Sequence, residues 1–416
     1  MQRTSLSAID EDHKISVSWI SKNDQIFPIA YSHQGAELVP HLNLYGLHLA
    51  VRGNLDRKTV RNEIYLLKSF FEQILTTGVC VDDITDEWLT QFRDSEVERV
   101  MCSNNSRAHK KTAQRTVNAK LRCVYAFLIW YQHSKPTTLR LIGNNNCQVY
   151  VPCAKESLSL FVSPGNKVKA SAISKAPLLF RRVSENGKSP HGRAATESDL
   201  KNLRSYFKNN HTPFVAIRNI LIMTIGDLTG LRRGSINSLR CAQFSLEKIA
   251  KCKEKFPLRP DSQKFGYENF FEIPIDLALQ IAEFIAGPRN NFLKEMGWSE
   301  AHTHDRIFVS ARDGKPLNDN SLSQIFGDAS RAIGLGPGHA IHMLRFKNVD
   351  DRIAGEIESR VALGLDTSTQ SIAASVSMEV GHSNPESLWS YVSQSQSKIA
   401  QRKKALKIDP GGSTKS

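Results

Sequence analysis

The chain has 416 residues, enough for two or three domains with separate cores, and its 40% hydrophobic and 23% charged content is ordinary for globular proteins. Its 55 Lys and Arg against 41 Asp and Glu leave a net charge of +14, an excess that favours a polyanion partner, either nucleic acid or an anionic membrane surface. The membrane reading is set aside: no apolar run approaches the ~20 residues of a bilayer span, and "MQRTSLSAIDEDHK" lacks the apolar centre of a signal peptide.

The seven cysteines include no CxxC pair, so neither a disulfide framework nor a Cys-type zinc site is suggested, and a reducing cytoplasm is the expected compartment. His302 and His304 in "AHTHDR" have no matching Cys or carboxylate motif beside them. No metal site and no cofactor are expected.

In chain order, residues 1–40 hold one strand-like stretch, "KISVSWIS", and no motif. From about 41 the pattern turns helical. Val60, Ile64, Leu67, Phe71 and Ile74 form one apolar stripe. A second helix should start after Thr85 as N-cap, with Asp86 and Glu87 in its first turn. A third repeats the stripe through Val117, Leu121, Val124, Leu128 and Tyr131. Before and on that helix lie Arg107, Lys110, Lys111, Arg115, Lys120 and Arg122, either a solvated charged face or a phosphate-contacting surface.

Residues 136–190 change character. "CQVYVP", "SLSLFVS" and "APLLFRRV" read as short strands between turn-rich segments, and the whole as a linker with an insertion. A second, largely helical domain, 191–405, begins near Thr196, a candidate cap, and 406–416 reads as a tail.

Four segments of this second domain carry polar residues at suggestive spacing. "LTGLRRGSINSLRCAQF" is a turn into a helix with Arg232 at its start, and "DSQKFGYENFFEIPI" reads as a β-hairpin with Lys264 near its turn. "GHAIHMLRF" sets His342 and Arg345 on one helical face. "VGHSNPESLWSYV" places His382 just before a helix that Asn384 caps and Pro385 opens, with Tyr391 further along it. Taken singly, each has a bland reading as surface charge or a half-buried tyrosine.

The ordered series Arg, Lys, His-x-x-Arg, Gly-His and Tyr resembles the tyrosine recombinase (phage integrase) family. "TGLR" is similar to its first arginine box, "IFVSARDGKPLNDNSLSQIF" to the segment leading into the second, "IHMLR" to that second box, and "GHSNPESLWSY" to the third, which ends in the nucleophile. The resemblance covers about 190–405, and the stripes of 41–135 look like the family's helical core-binding domain. It implies a mainly α fold with a small β-sheet or hairpin: a core-binding domain followed by a mixed α+β catalytic domain.

The implied activity is site-specific recombination, cutting and rejoining DNA through a 3′-phosphotyrosyl intermediate for a mobile element. Arg232, Lys264, His342, Arg345, His382 and Tyr391 would be catalytic, Tyr391 the nucleophile. Guanidinium forks suit the charge that grows on a phosphodiester, and the phenol, ordinarily near pKa 10, needs that cationic site to favour its phenolate. Lys264 is the expected proton donor to the leaving 5′ oxygen, with Lys253 and Lys255 as competitors. Implied partners are double-stranded recombination sites, a homotetramer on paired sites, docked through 393–408, and accessory DNA-bending proteins.

Three features depart from the family pattern. Ser235 stands where an acidic residue is common, Phe346 follows Arg345 where a base is common, and "ESRVALGLDTSTQ" lengthens the interval to His382. The alternatives are a type IB topoisomerase-like enzyme and a non-catalytic DNA-binding protein that keeps the fold.

Overall fold

The computed structural model describes residues 13–23, 25–33, 35–53, 55–103, 110–135, 140–144, 147–152, 173, 176–181, 193–336, 339–381 and 384–408. Arg107, His382 and the "SLSLFVS" segment lie outside these residues. The fold is mainly helical, with three two-stranded sheets among the described residues. It divides into two compact units, Met1–Asn186 and Gly187–Ser416.

In the first unit, β1 (Ile15–Lys22) pairs antiparallel with β2 (Gln25–Ser32), Lys22 standing opposite Gln25. Alternate residues of β2 turn inward, including Ile26 and Ala30, and α1 (Pro40–Val51) packs on that strand. The apolar stripe foreseen on the next helix lies on α2 (Arg57–Thr77), where Asp56 caps the start by accepting from Lys58 N and Thr59 N at 2.9 and 3.0 Å. α3 (Asp86–Ser103) starts as expected, with Thr85 Oγ1 accepting from Trp88 N at 3.3 Å. α4 (Lys110–Ser134) carries the last stripe inward. Phe70, Phe71, Phe92 and Phe127 meet between these helices, largely edge to face.

The residues read as a linker in part belong to this first core. β3 (Ile142–Gly143) and β4 (Val149–Tyr150) form only a two-residue parallel ladder, and Leu141, Ile142, Val149 and Val151 are buried in the cluster built by α1–α4. "APLLFRRV" is not a strand over its described residues, 176–181. Asn118 of α4 supplies what a strand neighbour would have supplied: its Nδ2 donates to Phe180 O and its Oδ1 accepts from Phe180 N, each at 2.9 Å.

In the second unit Thr196 caps α5 (Glu197–Asn210) in a reciprocal box with Asp199. α6 (Pro213–Thr229) is apolar nearly all round and lies inside the core. Short helices α7 (Arg233–Asn237) and α8 (Leu246–Ala250) lead into β5 (Lys255–Leu258), which pairs with β6 (Phe271–Pro274). The hairpin therefore starts earlier than the sequence suggested, and Lys264 sits in the long connection rather than in a tight turn.

Helices α9 (Ile275–Phe284), α10 (Asn290–Glu295), α11 (Glu300–Thr303) and α12 (Asp319–Ala332) close the main core. Then α13 (His342–Leu363), α14 (Thr369–Glu379) and α15 (Trp389–Ile408) enclose a smaller core around Ile353, Val376, Leu388 and Val392. The lengthened interval is the end of α13, the left-handed stop at Gly364 and the start of α14, which Ser368 caps. Among the described residues no helix is long and apolar enough to cross a membrane.

Candidate active site

Arg232 occupies the N-cap position of α7, with extended backbone, two residues after the left-handed Gly230 that stops α6. That glycine has φ +63°, and a Cβ on it would run into Asn348 Oδ1. The close approach brings α13 against the turn, and Asn348 Nδ2 donates to Asp227 O at 2.8 Å. Arg345, one turn earlier on α13, is only 5% exposed and donates to Gly230 O through Nη1.

Both arginines also hold the chain that leads to position 382. Arg345 Nη2 donates to Val380 O at 3.1 Å, and Arg232 Nη1 donates to the next carbonyl, Gly381 O, at 3.3 Å. Gly381 has φ +62°, and a Cβ there would meet Phe271 Cζ at 2.9 Å, so the β6 strand end presses on the same turn. Asn384 then accepts from Glu386 N at 3.0 Å, and Pro385–Leu388 form a 3-10 turn before α15 begins. Tyr391 thus sits in the first turn of α15, 7% exposed, within the small core.

His342 opens α13 and is exposed as a residue, but its ring stands edge-on to Phe346, with centroids 5.2 Å apart. Phe346 in turn lies 6.3 Å from the Tyr391 ring. Phe346 therefore lies between the histidine and tyrosine rings, a place its helical spacing from His342 hints at.

Loss of water around its ring, then the charges of Arg345, Arg232, Arg233 and Lys264, hold His342 below its ordinary value of 6.5. Burial first, and Arg232 second, push Arg345 down to about 9, which leaves it protonated at neutral pH. Burial lowers Arg232 as well. Four cations thus act on one imidazole, an arrangement suited to a doubly charged phosphoryl transition state. Arg233, which the sequence reading passed over, belongs to this group.

The tyrosine departs from expectation. Burial chiefly, and Asp350 next, raise Tyr391 to about 12, outweighing the opposing pull of Arg345. The hydroxyl is therefore firmly protonated in this arrangement, and the cationic site alone does not produce a phenolate.

Lys264 is exposed in the β5–β6 connection and within electrostatic reach of His342. Its competitor Lys255 lies on β5, where Glu272 holds it at 2.9 Å and raises its pKa. Beside this connection is a cavity of about 800 Å³ whose Arg240 and Arg306 pair with Asp261 and whose Arg259 pairs with Glu268.

On the first unit, Lys110, Lys111, Arg115 and Arg122 are exposed on α4. Lys120 is not. Its ammonium is buried, paired with Glu96 and donating to Ser69 Oγ at 3.1 Å, so it braces α4 against α3 and α2 instead of meeting phosphate. Arg218 and Arg289 are also inward-facing cations: Arg218 donates to Val309 O at 2.7 Å, and Arg289 is clasped by Glu300.

Among the described residues no group of three His, Cys, Asp or Glu is placed to hold a metal ion. His302 Nε2 donates to Asp313 O at 2.8 Å.

Solved structures similar to this chain include a XerH site-specific recombinase bound to palindromic difH substrate (TM-score 0.49, 14% identity, 88% of this chain and 85% of that one). Others are a lambda integrase dimer bound to a COC′ core site (TM-score 0.45, 14% identity, 85% and 76% covered) and the Tn1549 transposon integrase in complex with transposon right end DNA (TM-score 0.43, 13% identity, 87% and 98% covered). No protein-family model matches the chain, and no curated protein matches it.

Proposed function

We propose that this protein is a site-specific DNA recombinase of the tyrosine type, which cuts and rejoins strands without nucleotide or metal. The observation that carries the reading is that Arg232 and Arg345 both donate to the 380–381 turn, which leads within ten residues to Tyr391, while the charges of both arginines and of Lys264 reach His342. Tyr391 Oη attacks phosphorus, the bond from phosphorus to the 5′ oxygen breaks, and Lys264 gives that oxygen its proton. The phosphodiester becomes a 3′-phosphotyrosyl ester, and a second strand's 5′ hydroxyl reverses the step. Arg232, Arg345 and His342 bind the nonbridging oxygens, together with His382 by its place in the sequence.

Because burial holds the phenol protonated, attack requires its proton to pass to water or to a phosphate oxygen as the phosphate arrives, while the guanidiniums keep their carbonyl partners and turn their remaining N–H groups to the nonbridging oxygens. The substrate would be paired recombination sites of a mobile element, bound by a homotetramer with accessory DNA-bending proteins, in the cytoplasm. α4 of the first unit, with Lys110, Lys111, Arg115 and Arg122 outward, supplies backbone contacts.

The test is covalent trapping on nicked DNA carrying inverted candidate sites, with EDTA present. Wild type should give a protein–DNA band on a denaturing gel, and Tyr391→Phe should give none while still shifting DNA on a native gel. A band that persists in Tyr391→Phe removes the nucleophile, and a band that needs a divalent ion points to nuclease chemistry. Relaxation of supercoils without paired sites would identify a topoisomerase instead.

A further inference from the structure

Ser235 stands where the family pattern usually has an acid, and its surroundings give it a different task. Ser235 and Ser238 lie one turn apart on and just after α7, and each is only 5% exposed. Ser235 Oγ donates to Ser262 O at 3.0 Å, while Ser238 Oγ accepts from Ser262 N at 3.0 Å and donates to Ser235 O at 2.9 Å. Both backbone groups of Ser262 are therefore captured by two buried hydroxyls.

Ser262 lies two residues before Lys264 in the β5–β6 connection. Past the anchor, Gln263 closes the rest of that connection. Its Nε2 donates to Asn269 O at 2.8 Å and its Oε1 accepts from Asn269 N at 3.2 Å. Lys264 is thus presented from a short arc with both ends fixed, and the anchor is the helix that Arg232 caps. A carboxylate at 235 would face the Ser262 carbonyl, oxygen to oxygen, and could not make the bond that the hydroxyl donates.

We infer that Ser235 is a positioning residue for the proton donor, and that with Ser238 it ties the Lys264 loop to the helix bearing Arg232. The inference rests on Lys264 as the acid of the proposed reaction. It gives the serine a physical task that an acid at this position could not perform in the same way.

Two readouts test it in the full chain. The first needs no catalysis: native-state trypsin cleavage after Lys264. Losing the hydroxyl's hydrogen bond to Ser262 should raise loop opening, and the cleavage rate, by roughly 2- to 10-fold in Ser235→Ala and in Ser238→Ala. The second is covalent-complex formation on ordinary DNA and on DNA whose 5′ bridging oxygen is sulfur, a leaving group that departs without a proton. Ser235→Ala should be slow on the first substrate and near wild type on the second.

Unchanged trypsin cleavage at Lys264 in both variants would overturn the anchor. A defect of equal size on both substrates, or no defect on ordinary DNA, would overturn the positioning role. If wild type itself forms no covalent complex, the recombinase reading fails instead, and the trypsin result still reports whether the serines hold the loop.

Discussion

Arg232 and Arg345 donate to adjacent main-chain carbonyls, those of Gly381 and Val380, although the two residues lie on different helices and more than a hundred positions apart in sequence. The pair therefore sets the conformation of the turn before Tyr391 as well as the charge around it. A guanidinium has five N–H donors, so each arginine can hold a carbonyl and still present hydrogens to a phosphate.

Arg345→Ala should accordingly have two separable effects. Cleavage should fall by roughly 10²-fold or more, as for deletion of a transition-state donor. The Gly230 and Val380 carbonyls also lose their donor, which should cost about 1–3 kcal/mol of stability. Single-turnover cleavage on protein shown to be folded, with urea melts alongside, measures both. Equal losses in DNA affinity and cleavage would make Arg345 a general DNA contact.

For Lys264→Ala, the outcome turns on the leaving atom. Ordinary DNA should be cleaved slowly, and the sulfur-bridged substrate at near wild-type rate. Arg232→Ala should stay defective on both, because its proposed work is on the nonbridging oxygens. A Lys264 variant equally impaired on both substrates is not an acid variant, and Lys253 or Lys255 is then the residue to replace.

Acid should weaken the second unit through His342. Its folded pKa lies below 6.5, so in that window the unfolded chain binds more protons than the folded one. The stability it contributes is complete above the unfolded value and is lost as pH falls through the folded one. His342→Gln should reduce the fall in urea midpoint between about pH 7 and pH 5. Superimposable pH profiles for variant and wild type would show that the imidazole is not held neutral.

On α4, two cations only two positions apart should behave oppositely. Lys120→Met leaves the buried Glu96 with Arg99 as its remaining partner and should destabilise by about 3 kcal/mol, the low end for a broken buried pair. Arg122→Ala should change stability by no more than about 0.5 kcal/mol and weaken DNA binding in a salt-dependent way. Denaturant melts and binding titrations at two salt concentrations decide this, and a DNA-binding defect confined to Lys120→Met would reverse the assignment.

In the second unit the helix starts were legible where a single side chain sets them. Thr196, Asn384 and Pro385 mark helix starts through their own side chains, and Tyr391 follows the last of these marks by a few residues. What escaped was whatever depends on a remote partner. Lys120 has the composition of a surface cation and is buried only because Glu96 of another helix faces it. Phe180 sits in a strand-like run but is satisfied by Asn118, 62 residues away. β2 was missed although its residues alternate, because Pro28 interrupts the run with a residue that cannot donate to a ladder. The high phenol pKa of Tyr391 likewise comes from the packing of α13 and α15, which no local pattern records.

Gly381 holds a further lesson for anyone who diversifies this protein. Its left-handed backbone and the Phe271 ring leave room for a hydrogen atom and nothing larger. In a library randomised over 379–391, position 381 should return a single letter among active clones, while exposed neighbours such as Ser387 vary. A compensating pair should still be recoverable, because trimming Phe271 to a smaller residue relieves the clash but not the positive φ, which asparagine tolerates better than other side chains. Phe271→Ala with Gly381→Asn is then the combination through which the segment around position 381 could drift to a new spelling. Its absence from a deep selection would mean that the turn's geometry, rather than the room around it, is what selection guards.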